Sequence, residues 1–266
     1  MTSLAAEPLT RTTHALLDPL IKLAGRCPAL TVASAGTFIS EGKTYDLPRL
    51  HFYGPRAEHD PLRIGLFAAL HGDEPAGAEA LATWFAELVD EPWRVTGYEL
   101  TVFPVCNPTG FEAGTRHNFA GRDLNREFWR HSIQPEVAIL ERELIAGNFD
   151  GIITLHSDDT SEGLYGYAHG RLLNEALLKP ALRASERVLP RNRAATIDGF
   201  PASEGLIHRC FEGVLSAPHQ QRPQPFDLIF ETPALAPITL QVDATIVAIE
   251  TLLDEYRVFL AHSINL

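Results

Sequence analysis

Two hydrophobic periods succeed one another along this chain, and the places where they switch mark its elements. Thr13 to Ala24 carries Leu16, Leu17, Leu20, Ile21 and Leu23 near helical spacing, with Gly25 at the end, which predicts a short amphipathic helix. Between Ala29 and Gly54, runs such as Leu30-Thr31-Val32 and Leu50-His51-Phe52-Tyr53 flank polar turn residues around Glu41-Gly42-Lys43, so one or two antiparallel strands are expected. From Leu62 an apolar run of strand length stops at His71, and an Ala-rich helical pattern follows from Ala76 to Val89. A further strand, Tyr98 to Val105, ends at Cys106-Asn107-Pro108-Thr109-Gly110. Strand, helix, strand in that order implies a right-handed crossover and a sheet with parallel parts.

Gly110 to Arg130 is a long polar segment with three Gly and four Arg residues, and irregular segments of this length are usually functional. Pro135 to Ala146 reads as a helix ended by Gly147, followed by the strand Gly151 to His156. Leu164 to Ala168 reads as another strand, and Leu172 to Val188 as a helix that Pro180 kinks or breaks. Pro190 to Pro225 has weak periodicity and reads as mostly loop, with a strand at Leu206 to Phe211. Phe226 to Phe230 is a strand ended by Glu231-Thr232-Pro233, and Leu240 to Phe259 is a closing helix. No repeat or linker divides residues 1–266, so the chain is read as one α/β domain with residues 1–55 inside it. Its sheet should be mixed and largely parallel, with helices on both faces and a site at strand ends.

Composition narrows the functional classes. With 45% apolar residues the chain can bury a substantial core, and no apolar run approaches the roughly 20 residues needed to span a bilayer. A net charge of -12, with acidic and basic residues interspersed, disfavours nucleic acid and anionic membranes as partners. Cys27, Cys106 and Cys210 are odd in number and widely spaced, which fits reduced thiols in the cytoplasm better than a disulfide framework. Met1 to Leu20 lacks a basic stretch followed by an apolar one, so no secretory signal is expected.

Candidate chemistry sits where apolar strands stop. His71 and Glu74 follow one strand and His156 ends another, and imidazole and carboxylate are both good Zn²⁺ ligands. Glu74 could instead serve the dipole of the helix behind it, with His71 incidental. Two strand-terminal histidines and a carboxylate make three ligands, the usual number in a catalytic zinc site that keeps a fourth position open. No CxxC is present, which argues against a closed structural site.

The order of His71-x-x-Glu74, then Arg116 with Asp123-Leu124-Asn125-Arg126, then His156, then Glu231 resembles the zinc carboxypeptidase family. That family includes bacterial murein peptide amidases and is related to the succinylglutamate desuccinylase and aspartoacylase deacylases. The resemblance runs from about Ile64 to Pro233 and rests on HGDE, NPTGF, TRHNFAGRDLNREF, LHS and FETP. It implies one Zn²⁺ per chain on His71, Glu74 and His156, acidifying a water and polarising the scissile carbonyl. It further implies Glu231 as general base and Arg116 as the cation that stabilises the oxyanion. Asn125 and Arg126 would hold the substrate carboxylate, and Asp123 would orient a ligand histidine, His71. From the residues alone, Glu231 could satisfy backbone groups, Arg116 could be a solvated loop residue and Asp123 could cap a turn.

The chain also departs from the family. Pancreatic-type members carry a substrate-contacting tyrosine before the catalytic glutamate, yet Pro190 to Phe230 contains none; His208, Arg209 or His219 could substitute. His117 adjoins Arg116 and could line the pocket, whereas His169 reads as a surface or packing residue. Asp158 and Asp159 could select a basic group, bind a second cation or stay solvated. Arg116, Arg122 and Arg126 in one loop would suit a small acidic peptide. The expected function is zinc-dependent hydrolysis of an amide bond next to a free carboxylate in a small or murein-type peptide. The alternatives are deacylation of an N-acyl amino acid and a catalytically silent zinc-binding protein.

Overall fold

The structure, a computed structural model, describes residues 11–57, 59–168 and 172–263. The first ten residues and His169, on which two of these expectations fall, lie outside the described residues.

Helix α1 (Thr13–Ala24) begins where the Thr12 hydroxyl accepts the Ala15 N–H at 3.0 Å, a side-chain cap on an otherwise unpaired donor. Two long strands follow, β1 (Leu30–Ser40) and β2 (Lys43–Tyr53). Their turn puts Glu41 and Gly42 at φ of 47° and 73°, the left-handed pair that a two-residue hairpin of native twist requires. Then come β3 (Leu62–Ala68), α2 (Ala76–Asp90), β4 (Tyr98–Phe103), α3 (Pro108–Ala113), α4 (Pro135–Gly147) and β5 (Gly151–Asp158). The chain continues with β6 (Tyr165–Tyr167), α5 (Leu172–Ser185), β7 (Thr196–Ile197), β8 (Phe200–Ser203), β9 (Leu206–Ile207), β10 (Phe226–Pro233) and α6 (Ile238–Ser263).

All ten strands form one sheet in the order β1-β2-β4-β3-β5-β10-β6-β9-β8-β7. Its centre, β4-β3-β5-β10, is parallel, and antiparallel pairs flank it on both sides. Alternation along β3 divides the core: Ile64, Leu66 and Ala68 join the cluster built with α1, α2, α5 and α6, while Phe67 joins that of α4. Leu124, Phe128 and Leu215, from irregular segments, complete the α4 side. Helices therefore cover both faces, and the parallel strands are apolar on both, as such strands must be when no face meets water.

The differences from the sequence reading lie in short elements. Asn107-Pro108 starts α3, in which the Asn107 side chain accepts the Gly110 N–H at 2.9 Å; six residues are too few to show a period. Strands β7 and β8 lie inside the supposed loop Pro190 to Pro225, and the strand expected at Leu206 to Phe211 shrinks to Leu206–Ile207. Pro180 lies inside α5 and does not end it. The three cysteines are unpaired. No helix among the described residues is long and apolar enough to cross a membrane.

Candidate active site

The parallel registers bring the sequence candidates to one level. Ala68 of β3 pairs with Leu155 of β5, and His156 pairs with Glu231 of β10, so the carboxyl ends of three adjacent strands deliver His71, His156 and Glu231 together. That is where an open parallel sheet places its functional loops. The loop after β3 is pinned tightly: Asn107 N–H donates to Ala69 O at 2.9 Å and the Asn107 amide donates to Leu70 O at 3.2 Å. A Cβ on Gly72 would lie 1.9 Å from the Gly110 carbonyl carbon, so the HGDE loop lies backbone to backbone on α3. Asn107 was missed as a supporting residue; its Asn-Pro signature as a helix start was the available signal.

Glu74 does not cap its helix. Its Oε1 lies 2.6 Å from Nδ1 of His71, and its Oε2 lies 2.8 Å from Nδ1 of His156 and 3.1 Å from the Ser157 N–H. Of the far nitrogens, His71 Nε2 donates to Asp123 Oδ1 at 3.0 Å, whereas His156 Nε2 lies 3.3 Å from the Asn125 amide nitrogen. His71, Glu74 and His156 are buried, and each offers a donor atom within 4.8 Å of the others. Two imidazoles and a carboxylate converging in this way can hold a metal ion. Burial disfavours charge on both histidines, and His156 is lowered; at His71 the carboxylates of Glu74 and Asp123 outweigh burial and raise it to about 8. Glu74 and Asp123 are themselves held low by their histidine neighbours against the cost of burial. A divalent cation meets this demand for positive charge while leaving the imidazoles neutral, so the donor set fits a metal.

Asp123 does both things the sequence left open: besides holding His71, its Oδ1 accepts the Asn125 N–H at 3.0 Å. Arg116 donates to Asp123 Oδ2 at 3.0 Å and reaches Glu74 Oε1 at 3.5 Å, which places it beside the cluster rather than in solvent alone. Asn125 lines the same cavity, but its side chain is engaged: its oxygen accepts the Leu215 N–H at 2.9 Å while its nitrogen faces His156. Arg126 stacks its guanidinium 4.1 Å from the Phe211 ring centre, and no carboxylate lies within ion-pair distance of it among the described residues. Arg122 is exposed and does not line the cavity, so the three loop arginines do not converge.

The cavity holding these groups measures about 220 Å³, small for a ligand site. Glu231 faces into it, only 9% exposed and without a hydrogen-bond partner among the described residues. Burial, then the negative charges of Glu74, Asp158 and Asp198, push its pKa well above the ordinary carboxylate value. Exposed His208 and Arg209 do not line this cavity, and His219 lines a neighbouring one beside Trp129. The aromatic wall comes instead from Tyr165, Tyr167 and Phe211, which sequence reasoning missed. Tyr165 donates to Asp158 at 2.9 Å, and Tyr167 donates to Asp198 at the tip of the β7-β8 hairpin. Asp158 also caps Thr160, and His117 stays outside the lining.

Residues 62–177 match the family described as the succinylglutamate desuccinylase/aspartoacylase catalytic domain. A comparison with curated proteins finds no match. Among solved structures, a presumed metallopeptidase from Shewanella amazonensis SB2B superposes with a TM-score of 0.71, at 24% identity over 90% of each chain. A metallo-carboxypeptidase from Burkholderia cenocepacia gives 0.67 at 17% identity, covering 92% of this chain and 68% of that one. The carboxypeptidase A of Helicoverpa armigera gives 0.68 at 17% identity, covering 92% and 72%. The chain therefore has the fold of these metallo-carboxypeptidase structures, and its residues 62–177 are similar to the succinylglutamate desuccinylase/aspartoacylase catalytic domain.

Proposed function

We propose that the chain is a zinc-dependent hydrolase that cleaves an amide bond next to a free carboxylate, acting on the C-terminal bond of a short peptide. The observation that carries this reading is the presence in one small cavity of the His71–Glu74–His156 cluster with Glu231, which has no hydrogen-bond partner, and Arg126, which has no carboxylate partner, among the described residues. When bound at that cluster, Zn²⁺ supplies a Lewis acid and a water acidic enough to ionise near neutrality.

The protein groups divide the remaining work. Arg126 anchors the substrate carboxylate, and the stack on Phe211 keeps the guanidinium plane oriented. Glu231 takes a proton from the attacking water and delivers it to the departing amine, a task suited to a carboxylate whose pKa is raised by burial. Arg116, fixed by Asp123, presents positive charge where the carbonyl oxygen becomes an anion. Asp123 keeps the His71 proton on Nε2, so that Nδ1 is left to face the cluster centre.

Metal content and turnover of Glu231→Gln against wild type test the assignment, with a screen of short peptides and N-acyl amino acids. Retained zinc with turnover reduced about 10²–10⁴-fold is expected of a lost general base. No zinc in either protein, even after reconstitution, would sink the ligand assignment. The family match at residues 62–177 favours a second reading, deacylation of an N-acyl amino acid by the same groups. Substrate length separates the two, because a deacylase should ignore tripeptides.

A further inference from the structure

We propose that this cavity selects substrates carrying a cationic group, an ammonium or a guanidinium, in addition to the carboxylate held by Arg126. The proposal rests on the hydrolase reading above and specifies its substrate class.

The charges lining the cavity are unequal. Asp73, Glu74, Asp158, Asp159, Asp198 and Glu231 face it, against Arg116 and Arg126. With a divalent cation on the His–Glu–His cluster, and Glu231 counted as neutral because burial favours its protonated form, one more negative than positive charge remains around a volume of about 220 Å³. Arg116 is paired with Asp123 and Glu74, whereas Arg126 donates to the Asn125 carbonyl at 2.8 Å, stacks on Phe211 and has no carboxylate partner among the described residues.

The acidic wall is also uncompensated. No lysine, arginine or histidine lies within ion-pair distance of Asp158, Asp159, Asp198 or Glu231 among the described residues. Tyr165 and Tyr167 orient Asp158 and Asp198 through hydroxyl hydrogen bonds, which leave the negative charge in place. Glu231 in particular is nine-tenths buried, has no hydrogen-bond partner among the described residues and is aimed into the same space. A cleft whose lining carries an excess of one sign of charge concentrates ligands of the other sign and repels its own, even with Asp73, Asp159 and Asp198 exposed. An anionic acyl group such as succinyl would meet this wall, whereas a free amino terminus or a basic side chain would be drawn to it.

Two pairs of substrates separate the possible sources of the cation. Ala-Leu is compared with N-acetyl-Ala-Leu and N-succinyl-Ala-Leu, and N-acetyl-Ala-Arg with its citrulline isostere, using the zinc-loaded protein. In at least one pair the cationic member should have a kcat/KM about tenfold or more above its neutral partner, with the succinylated peptide poorest. Asp198→Asn and Asp158→Asn should each lower that ratio. Equal rates in both pairs, a preference for succinyl, or a ratio unchanged in both variants would overturn the inference. The same pairs are titrated calorimetrically into Glu231→Gln, so charge preference is read even where nothing is hydrolysed. Lack of any wild-type turnover would then count against the hydrolase reading, and equal binding of cationic and neutral partners against this one.

Discussion

Asp123 shows how one side chain can set the properties of a site it does not enter. It holds Nε2 of His71, caps Asn125 and pairs with Arg116, so its loss should loosen three groups at once. Asp123→Asn is predicted to weaken zinc binding about 10–100-fold, read by competition with a chelator of known affinity; unchanged affinity would reduce Asp123 to a turn cap. Asp227 carries a pH effect away from the site. Burial raises its carboxyl to about 7, against the pull of the Ala217 N–H, which donates to it at 3.0 Å. A carboxyl raised in the folded state holds its proton more tightly there than in the unfolded chain, whose value is about 3.9. Its contribution to stability is therefore full below about pH 4 and declines as pH rises towards 7. Asp227→Asn should flatten that part of the stability curve measured by denaturant unfolding; an identical pH slope would show that Asp227 does not titrate there. His71 and His156 were legible in sequence because each closes a local apolar run, and Glu74 because it stands three residues after His71. Asp198 and Phe211 were not, because nothing in their own neighbourhood says which cavity they face.

The elements that matter most at the next scale are the shortest. The HGDE loop owes its shape to α3, six residues whose first turn is capped by Asn107 and whose Gly110 admits Gly72 at backbone contact. Gly72→Ala cannot keep this contact, and overpacking of this kind costs about 1–3 kcal/mol. We expect a lower melting temperature and weaker zinc binding together; a fall in stability with zinc affinity intact would separate the loop from the ligands. The β7-β8 hairpin is the counterpart on the acidic wall. Asp198 and Gly199 have φ of 48° and 76°, the pair of left-handed residues that a tight hairpin turn requires. Asp-Gly was a readable hairpin signal between Thr196-Ile197 and Phe200, but two-residue strands carry too few positions to show alternation.

For the whole molecule, the cluster joins the loop after β3 to the carboxyl end of β5, and its carboxylate partner Asp123 comes from the irregular segment between α3 and α4. A ligand bound only by the folded chain stabilises it by mass action, about 4 kcal/mol at a thousandfold excess over its dissociation constant. Chelation of the zinc-loaded protein should therefore abolish turnover and lower the melting temperature by roughly 10 °C at that excess, given about 2–4 °C per kcal/mol for chains of this size. Calorimetric melts with and without chelator test this, and coincident melts would argue that nothing stabilising is bound at the cluster.

The amino-acid sequence by itself determined the α/β class, the long helices and central strands, and the three candidate ligands, because each is written in local periodicity or at or just after the end of an apolar run. Its resemblance to the zinc carboxypeptidases supplied the roles of Glu231, Arg116, Asn125 and Arg126 that the geometry now makes testable. Only the tertiary structure decided the order of the strands, the register that sets Glu231 beside His156, and the engagement of Asn125 by Leu215. It alone showed that Arg122 stays outside the cavity and that Asp158 and Asp198 enter it. Those facts depend on contacts between residues tens of positions apart, and the balance of charge in a cavity is a property of the folded surface that no local window of sequence contains.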